Sequence, residues 1–530
     1  MMSFLSESRF WLASFLSIAV ATAVGSPTAS SQEAAPPADV LQQFELRLKA
    51  LEDENRELRD QVKSLVESKS ADAESGADDA PTSSSDAAAP TSTSEDPTQG
   101  EPSFDVGETE STANTAAPKN KRPLKAWLDK GFELTSEDEE FQLQFHNETQ
   151  VDYRLFDRTG QGTVHNGFFI PRQIWAFNGR LTKKLEYMAS FSRGYAGGIE
   201  LRDAFVNLKV LDEDRLMFKI GRYRVPYTYE FYALSNTDLI SPERSVFALN
   251  FSNVREIGAM AWGELFDDRV DYAAGLYNGQ RNSFEDRNDE PTFVGFFNVR
   301  PFRHSTRFPF LNYLNVGAST DVGNLDDRVA PPALRTSVTA SQASGSSTAS
   351  PAFIDFNESV RENGRRTMGA VHAALFYKRL SLLAEWDRGS TNYLSSPTAA
   401  GRVSVPVDAY YVQAGFFLTG EHVTRRAPIK VNRPFNLRRG PDFGIGAIEL
   451  AARYATLNLG DEVFTRGLAD PNLWTNQVGV LDVGFNWYIN QYLKVYLDWQ
   501  RTEFGDPVTF GKGRFFVNSD LFWARLQFLF

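Results

Sequence analysis

The 530-residue chain contains no cysteine and only five histidines. Without cysteine there can be no disulfide, thiol metal ligand, cysteine nucleophile or lipid-modified N-terminal cysteine. No Gly-x-Ser-x-Gly sequence offers the serine nucleophile of a hydrolase, and the histidines are not spaced as metal ligands. The sequence therefore predicts neither an enzyme nor a metal or cofactor site. The histidines are His146, His165, His304, His372 and His422.

Long apolar runs are also missing, apart from one near the N-terminus. Arg9 precedes an apolar run at 10–24, and small residues, Ala23 and Gly25, follow the pattern of a cleavage site. A membrane-spanning helix needs about 20 apolar residues, so this run is too short to span. We expect a signal peptide over 1–25, with a short membrane anchor as the alternative. Because no later segment could form a spanning helix, any membrane insertion must use strands.

Positive charge is absent from one long segment. Residues 70–118 hold 11 Asp and Glu but no Lys or Arg, whereas from 131 onward 46 acidic residues face 43 basic ones. The net charge of −13 therefore belongs mainly to the N-terminal part of the chain. Residues 69–122 are rich in Ala, Ser, Thr, Pro, Asp and Glu, and they offer too little apolar surface to form a core. We expect a disordered acidic linker there.

A heptad repeat occupies residues 38–68. Its flanking charges agree with the register of parallel helices, because Arg47 would meet Glu52 and Glu54 would meet Arg59 on a neighbouring chain. The repeat predicts a coiled coil, with a single amphipathic helix as the alternative. The residues at its core positions are Leu41, Phe44, Leu48, Leu51, Asn55, Leu58, Val62 and Leu65.

From 131 to 530 the apolar pattern changes to a period of two, which is the period of a β-strand. In 140–156 apolar residues such as Phe141 and Leu143 alternate with polar ones, and the same alternation fills 481–500. The last strand places apolar side chains on one face and Arg525 and Gln527 on the other. The apolar set is Phe522, Ala524, Leu526, Phe528 and Phe530.

The connections between these segments are of two kinds. Tight turns alternate with long polar connections, which is typical of transmembrane barrels with short periplasmic turns and long outer loops. We therefore predict an all-β membrane barrel of about 16 (16–18) antiparallel strands over 131–530, with a soluble β-sandwich as the alternative. The tight turns lie at 182–184, 378–379 and 490–491, and the long connections at 280–292, 323–365, 388–407 and 420–441.

Seven segments of this region, in order, resemble the phosphate-selective porin O and P family of outer-membrane porins. They are Leu-Arg-Asp-Ala-Phe-Val at 201–206, Ile-Gly-Arg-Tyr-Arg-Val-Pro-Tyr at 220–227, Pro-Glu-Arg-Ser at 242–245, Arg-Glu-Ile-Gly at 255–258 leading to Gly-Leu-Tyr-Asn-Gly at 275–279, Tyr-Val-Gln-Ala-Gly at 411–415 with Leu-Thr-Gly-Glu at 418–421, Ala-Ile-Glu-Leu-Ala-Ala-Arg-Tyr at 447–454 and Gly-Phe-Asn-Trp-Tyr at 484–488.

The resemblance implies a trimeric barrel of 16 strands that passes small anions, phosphate or polyphosphate among them, past a loop folded into the pore. The loop after 221–227, extending to about Ser252, is then the expected constriction, and a ladder of arginines is expected to line the pore. The alternative for these arginines is a structural role, as ion pairs to Asp203 or Glu230 or, for Arg244, as a pin for the loop. With 8 Lys against 35 Arg from 131 onward, the chain lacks a lysine cluster. The candidate arginines are Arg172, Arg222, Arg224, Arg244 and Arg255.

These expectations define a location and a set of partners. The barrel should lie in the lipid of the bacterial outer membrane, with the coiled coil on the periplasmic side. Small anions should be its solutes, a homotrimer its assembly, and peptidoglycan a further partner through the coiled coil; nucleic acid is not expected. The alternatives are a general small-solute porin and a tether between outer membrane and peptidoglycan without marked selectivity.

Overall fold

The computed structural model describes residues 123–128, 131–193, 198–252, 254–279, 284, 286, 288–338, 349–438 and 440–530. The predicted signal peptide (1–25), coiled coil (38–68) and acidic linker (69–122) lie outside the described residues. None of the helices in the described ranges combines the length and apolar character needed to cross a membrane.

The described part is dominated by one antiparallel sheet. After an N-terminal hairpin, sixteen strands pair in order, and the last pairs with the first of them to close a barrel. The predicted antiparallel barrel of about 16 strands is therefore confirmed. The sixteen strands are β3 (Gln142–Phe156), β4 (Gly167–Thr182), β5 (Leu185–Arg193), β6 (Ile199–Lys209), β7 (Met217–Arg224), β8 (Arg255–Leu265), β9 (Val270–Tyr277), β10 (Thr292–Val299), β11 (Leu314–Asp326), β14 (Arg361–Tyr377), β15 (Leu380–Leu394), β16 (Val403–Phe417), β17 (Ala447–Leu459), β18 (Gln477–Tyr488), β19 (Leu493–Thr509) and β20 (Phe515–Leu529).

The remaining elements are short. The hairpin consists of β1 (Leu124–Leu128) and β2 (Phe132–Ser136), and a two-stranded sheet of β12 (Leu334–Arg335) and β13 (Ala352–Ile354) lies between β11 and β14. The helices are α1 (Tyr229–Tyr232), α2 (Val246–Phe251) and α3 (Glu462–Thr465), with 3-10 turns at Asp212–Asp214, Asn236–Asp238 and Pro309–Leu311.

The alternation of side chains along the strands follows the sequence. In β20, Arg525 and Gln527 are buried inside the barrel, whereas Leu526 and Phe528 are exposed on its outer surface. Successive side chains of a strand point to opposite faces, so a closed barrel converts period two directly into an inner and an outer surface.

The two ends of the barrel carry different connections. We call the end where β3 begins and β20 ends the terminal end, and the other the far end. The tight turns at 183–184, 378–379 and 489–492 lie at the terminal end. The long connection 418–446, between β16 and β17, lies there too, so grouping 420–441 with the outer loops was wrong. Antiparallel strand order decides the end at which a connection lies, whatever its length.

The N-terminal hairpin completes the sheet edge that β20 leaves open. Phe530 exchanges backbone hydrogen bonds with Asn147, and beyond that point β2 takes over as the neighbour of β3. The ring of Phe132 lies 5.7 Å from that of Phe530. An unpaired strand edge invites pairing with another chain, and the hairpin covers this one.

The connection between β7 and β8 enters the barrel. We call residues 225–252 the inserted loop; it contains α1 and α2, whose first turns are capped by the hydroxyls of Thr228 and Ser245. Nearly all of its side chains are buried. At the far end it is held by β12. The Asn250 side-chain amide donates a hydrogen bond to the Arg335 carbonyl (2.8 Å) and accepts one from the Arg335 backbone N–H (2.9 Å).

Candidate functional site

The inserted loop begins at the segment 220–227. Gly221 has φ of 130°, and a Cβ there would lie 2.2 Å from the carbonyl oxygen of Ala204. Only glycine allows β7 to approach β6 so closely in this conformation. Beyond Arg224 the chain leaves the wall, with Val225 and Tyr227 fully buried.

The tip of the inserted loop, which we define as residues 237–243, is held through its backbone carbonyl groups. Side chains of β17, β18, β19 and β20 and of the connection 418–446 donate hydrogen bonds to six of these carbonyls. Buried carbonyl groups need donors, and this set fixes the tip to the β17–β20 wall. The contacts are Gln527 to Thr237 (3.3 Å), Arg426 to Asp238 (2.9 Å), Lys494 to Leu239 (2.9 Å), Asn486 to Ile240 (2.9 Å), Arg525 to Pro242, and Arg453 to Glu243 (2.7 Å).

Glu243 joins the tip to both sides of the barrel closure. Its carboxylate accepts hydrogen bonds from Arg172 of β4 and from Arg525 of β20, the latter at 2.8 Å. Burial alone would raise the pKa of Glu243, but the two guanidinium groups outweigh it and lower the pKa to about 2. Arg172 lies inside the barrel and is ion-paired there.

The start of the loop is held by β15. The Glu385 carboxylate accepts hydrogen bonds from the backbone N–H groups of Tyr229 (2.6 Å) and Glu230 (3.1 Å), at the start of α1. Glu230 in turn is paired with Arg453 of β17, at 3.2 Å. The inserted loop is thus anchored on β15 and on the β17–β20 wall.

Arg224 and Arg244, which we call the arginine pair, meet at one point of the inserted loop. Each donates a hydrogen bond of 2.9 Å to the carbonyl oxygen of Leu234. Both guanidinium groups also lie over the ring of Phe231, at 5.5 and 4.6 Å from its centre. Arg224 further bonds the Phe231 carbonyl, and Arg244 the Asn236 amide oxygen at 2.6 Å.

The partners of the arginine pair are neutral oxygens, in contrast to those of Arg172. Burial, together with the nearby charges of Arg172 and Arg202, lowers the pKa of Arg244 to about 10 despite the neighbouring carboxylates of Glu230 and Glu243. The group therefore keeps its charge at neutral pH. The arginine pair places two fixed positive charges inside the barrel beside the loop.

The other two candidate arginines have different surroundings. Arg255 of β8 forms an ion pair with Asp203 of β6, at 2.8 Å. Arg222 donates to the Arg255 carbonyl (3.4 Å) and lies 4.2 Å from the ring centre of Phe284, in the connection after β9. The structure thus brings Arg224 and Arg244 together and places Arg222 in a separate environment.

Arg202 was missed by the sequence analysis. Simple alternation assigns Arg202 and Asp203 to opposite faces, but a register shift at Ser190/Phe191 interrupts the pairing of β5 with β6. The Arg202 side chain is 16% exposed, lies 3.9 Å from Asp203 and is electrostatically coupled to Arg224. The segment 201–206 was singled out, yet nothing in its sequence marks the bulge.

Lys219 of β7 adds a positive charge inside the barrel. Its ammonium group lies 4.6 Å from the ring centre of Phe205 and 4.5 Å from that of Trp262. Within the described ranges no carboxylate lies in ion-pair distance of it. Aromatic faces stabilise an ammonium group without cancelling its charge.

The histidines do not form a site. His372 is buried, accepts or donates a 3.1 Å hydrogen bond with Asn298, and stacks on Phe296. In the part of the chain that the structure describes, no group of three or more His, Asp or Glu side chains could hold a metal ion.

A closed barrel of sixteen strands, with a loop folded into an arginine-rich interior, is the architecture of an outer-membrane porin. Residues 141–504 match the family model described as phosphate-selective porin O and P, and the chain belongs to that family. It is an outer-membrane channel for small anions rather than an enzyme.

The chain is also similar to individual proteins. Porin O of Pseudomonas aeruginosa is 23% identical over 424 residues, which cover 76% of this chain and 91% of the relative. Similar solved structures include an anion-selective porin from Comamonas acidovorans (11% identity, TM-score 0.44, 74% of this chain and 100% of that one) and the channel DcaP of Acinetobacter baumannii (10% identity, TM-score 0.43, 76% and 99%).

Proposed function

We propose that this porin takes up phosphate, and short polyphosphate, by way of the inner surface formed by β4 to β8 and the inserted loop. The observation that carries the proposal is the arginine pair, whose charges are partnered by neutral oxygens. Lys219, which lies over aromatic rings, adds a positive charge along the same wall.

Arginine suits this role for a physical reason. Its guanidinium group stays charged and can donate two parallel hydrogen bonds to the oxygens of one phosphate. In a narrow passage with low-dielectric walls, such fixed charge raises the local concentration of anions. Hydrogen bonds to main-chain oxygens hold the groups in place without neutralising them, so they can exchange contacts with a passing anion.

The anchoring of the inserted loop supports a fixed constriction. Because its tip is bonded to the β17–β20 wall and its start to β15, we propose that the solute passes on the remaining side, next to Arg224. The family description favours an anion over a neutral solute.

Planar-bilayer recording tests this function. Phosphate added to a chloride solution should reduce the chloride current of the wild type at concentrations where sulfate does not, because phosphate binds in the passage. The variant Arg224→Gln with Arg244→Gln should need several-fold more phosphate for the same reduction. If phosphate did not reduce the wild-type chloride current, the result would support a general small-solute porin instead.

We also propose a trimer whose three N-terminal segments associate in the periplasm. The heptads at 38–68 and the acidic linker at 69–122 support this arrangement, and a stalk of this kind could reach peptidoglycan. Sedimentation equilibrium of a peptide covering 38–68, alone and fused to a trimeric carrier, tests it; helix that forms only as a dimer would contradict it.

A further inference from the structure

The long connection at the terminal end contains an ordered hairpin. We call residues 432–438 and 440–446 the rim hairpin. Asn436 and Gly444 exchange backbone hydrogen bonds of 2.8 and 3.0 Å across it, and Gly446 donates to the Arg433 carbonyl. Phe435 donates to the carbonyl of Ile489, 2.8 Å away. These bonds fix the hairpin to the rim of the barrel, beside the end of β18.

One face of the rim hairpin is apolar and exposed. Asn436 pairs with Gly444, and successive side chains of a strand point to opposite faces. The residues on either side of Asn436 and of Gly444 therefore share one face of the hairpin. Those neighbours are exposed on 40 to 65% of their surface. They are Phe435, Leu437, Phe443 and Ile445.

The position of this face indicates what covers it. The ring of Phe435 lies 5.3 Å from that of Trp487, and the Trp487 indole N–H donates to the Ile445 carbonyl at 2.7 Å. In β18, Trp487 follows Val483 and Phe485 on the outer surface of the barrel, both exposed. That surface faces lipid in a porin, so the apolar face continues the lipid-facing surface at its terminal edge.

The charge around the hairpin indicates the kind of lipid. Within the described residues of the rim hairpin, Arg433 and Arg438 are exposed, and Asp442 supplies the one carboxylate. Apolar side chains with basic neighbours are the combination that binds at an anionic membrane surface. A second copy of the hairpin is a poor occupant, because docking would bring like charges together.

We propose that the rim hairpin is a docking site for anionic phospholipid in the periplasmic leaflet of the outer membrane. Its apolar face lies among the acyl chains at the interface, and Arg433 and Arg438 bind headgroup phosphates. In barrels of this type, the end that carries the short turns faces the periplasm. The terminal end carries the short turns here, so the rim hairpin meets the periplasmic leaflet.

The first test uses the absence of cysteine from the chain. The full-length variant Leu437→Cys, labelled with an environment-sensitive fluorophore and reconstituted in vesicles of phosphatidylethanolamine and phosphatidylglycerol, should show blue-shifted emission that spin-labelled lipid quenches. The matched control Lys183→Cys, in an exposed turn at the same end, should show neither. An unquenched probe at 437, or disulfide cross-linking between the 437 positions of two copies, would overturn the proposal.

The second test addresses the headgroup. Wild-type porin purified from such mixtures should retain phosphatidylglycerol in preference to phosphatidylethanolamine. Arg433→Gln with Arg438→Gln should lower that preference on the order of tenfold, from the attraction expected per basic residue near an anionic surface. Lys183→Gln with Lys184→Gln removes equal charge at the same end and should keep the preference. Equal retention by the wild type and the Arg433/Arg438 variant would overturn the headgroup assignment.

Discussion

The arginines inside the barrel have two kinds of partner. On the β17–β20 wall, Arg525 is bonded to the carboxylates of Asp152 and Glu243, at 2.6 and 2.8 Å. Beside β7, Arg224 and Arg244 share a main-chain carbonyl and have neutral partners. The number of arginines inside a barrel therefore does not give the charge of its passage. The partner of each guanidinium group decides whether it stabilises the wall or attracts an anion.

This comparison predicts separable defects. Removing an arginine from the β17–β20 wall should damage folding and the fixed position of the inserted loop. Removing one from the arginine pair should change selectivity and leave the barrel intact.

The largest effect is expected for Arg525→Ala. The change removes the charged partner of two buried carboxylates, Asp152 and Glu243. It should lower the free energy of unfolding by an amount on the order of 3–5 kcal/mol. Heating in detergent should convert the compact, fast-migrating form to the unfolded one at a much lower temperature, and yields of folded protein should fall. Arg501→Ala, which removes a partly exposed ion pair with Asp520, should cost about 1 kcal/mol or less. Equal heat resistance of the two variants would contradict the assignment.

A smaller, dynamic effect is expected for Arg426→Ala. Arg426 reaches the loop tip from the terminal end, bonding the Asp238 carbonyl and the carboxylate of Glu449. Without it the tip loses one of its donors, so single-channel current should show several-fold more frequent partial closures. Heat resistance should also fall, because Glu449 loses its buried guanidinium partner. The fall should be smaller than for Arg525→Ala, because Lys494, Asn486 and Tyr488 remain beside the carboxylate. Arg300→Ala removes a two-point ion pair with Asp271 at the same end without touching the inserted loop. Closures that appear equally in both variants would show that the tip is not held in this way.

The weakest effect concerns pH. Because the pKa of Glu243 is lowered to about 2, its ion pairs stabilise the loop fully above the ordinary value of 4.5 and are lost as pH falls through 2. Current noise should therefore stay constant from about pH 8 to about pH 4 and rise only below about pH 3. Glu243→Gln should raise noise across this range. If current noise in the wild type rose near pH 5, a group other than Glu243 would control the position of the inserted loop.

Part of this arrangement could be predicted from the sequence. The rest depends on strand direction, on a bulge and on contacts within the folded loop. Alternation in β20 gave its inner and outer faces, because a closed barrel preserves period two. The end of the barrel at which 420–441 lies depends on the direction of the strands before it, which connection length does not reveal. Arg202 was hidden by a bulge. Arg224 and Arg244 were identified from their motifs, but their shared partner, the Leu234 carbonyl, depends on the folded loop.

The reversal potential across a salt gradient tests the central claim most directly. Wild-type channels should be anion-selective, and Arg224→Gln with Arg244→Gln should shift the reversal potential toward cations, because glutamine is polar but carries no charge. Arg215→Gln with Arg501→Gln removes two more exposed, ion-paired arginines and should leave the potential unchanged. A cation-selective wild type, or an arginine-pair variant with the wild-type reversal potential, would contradict the account.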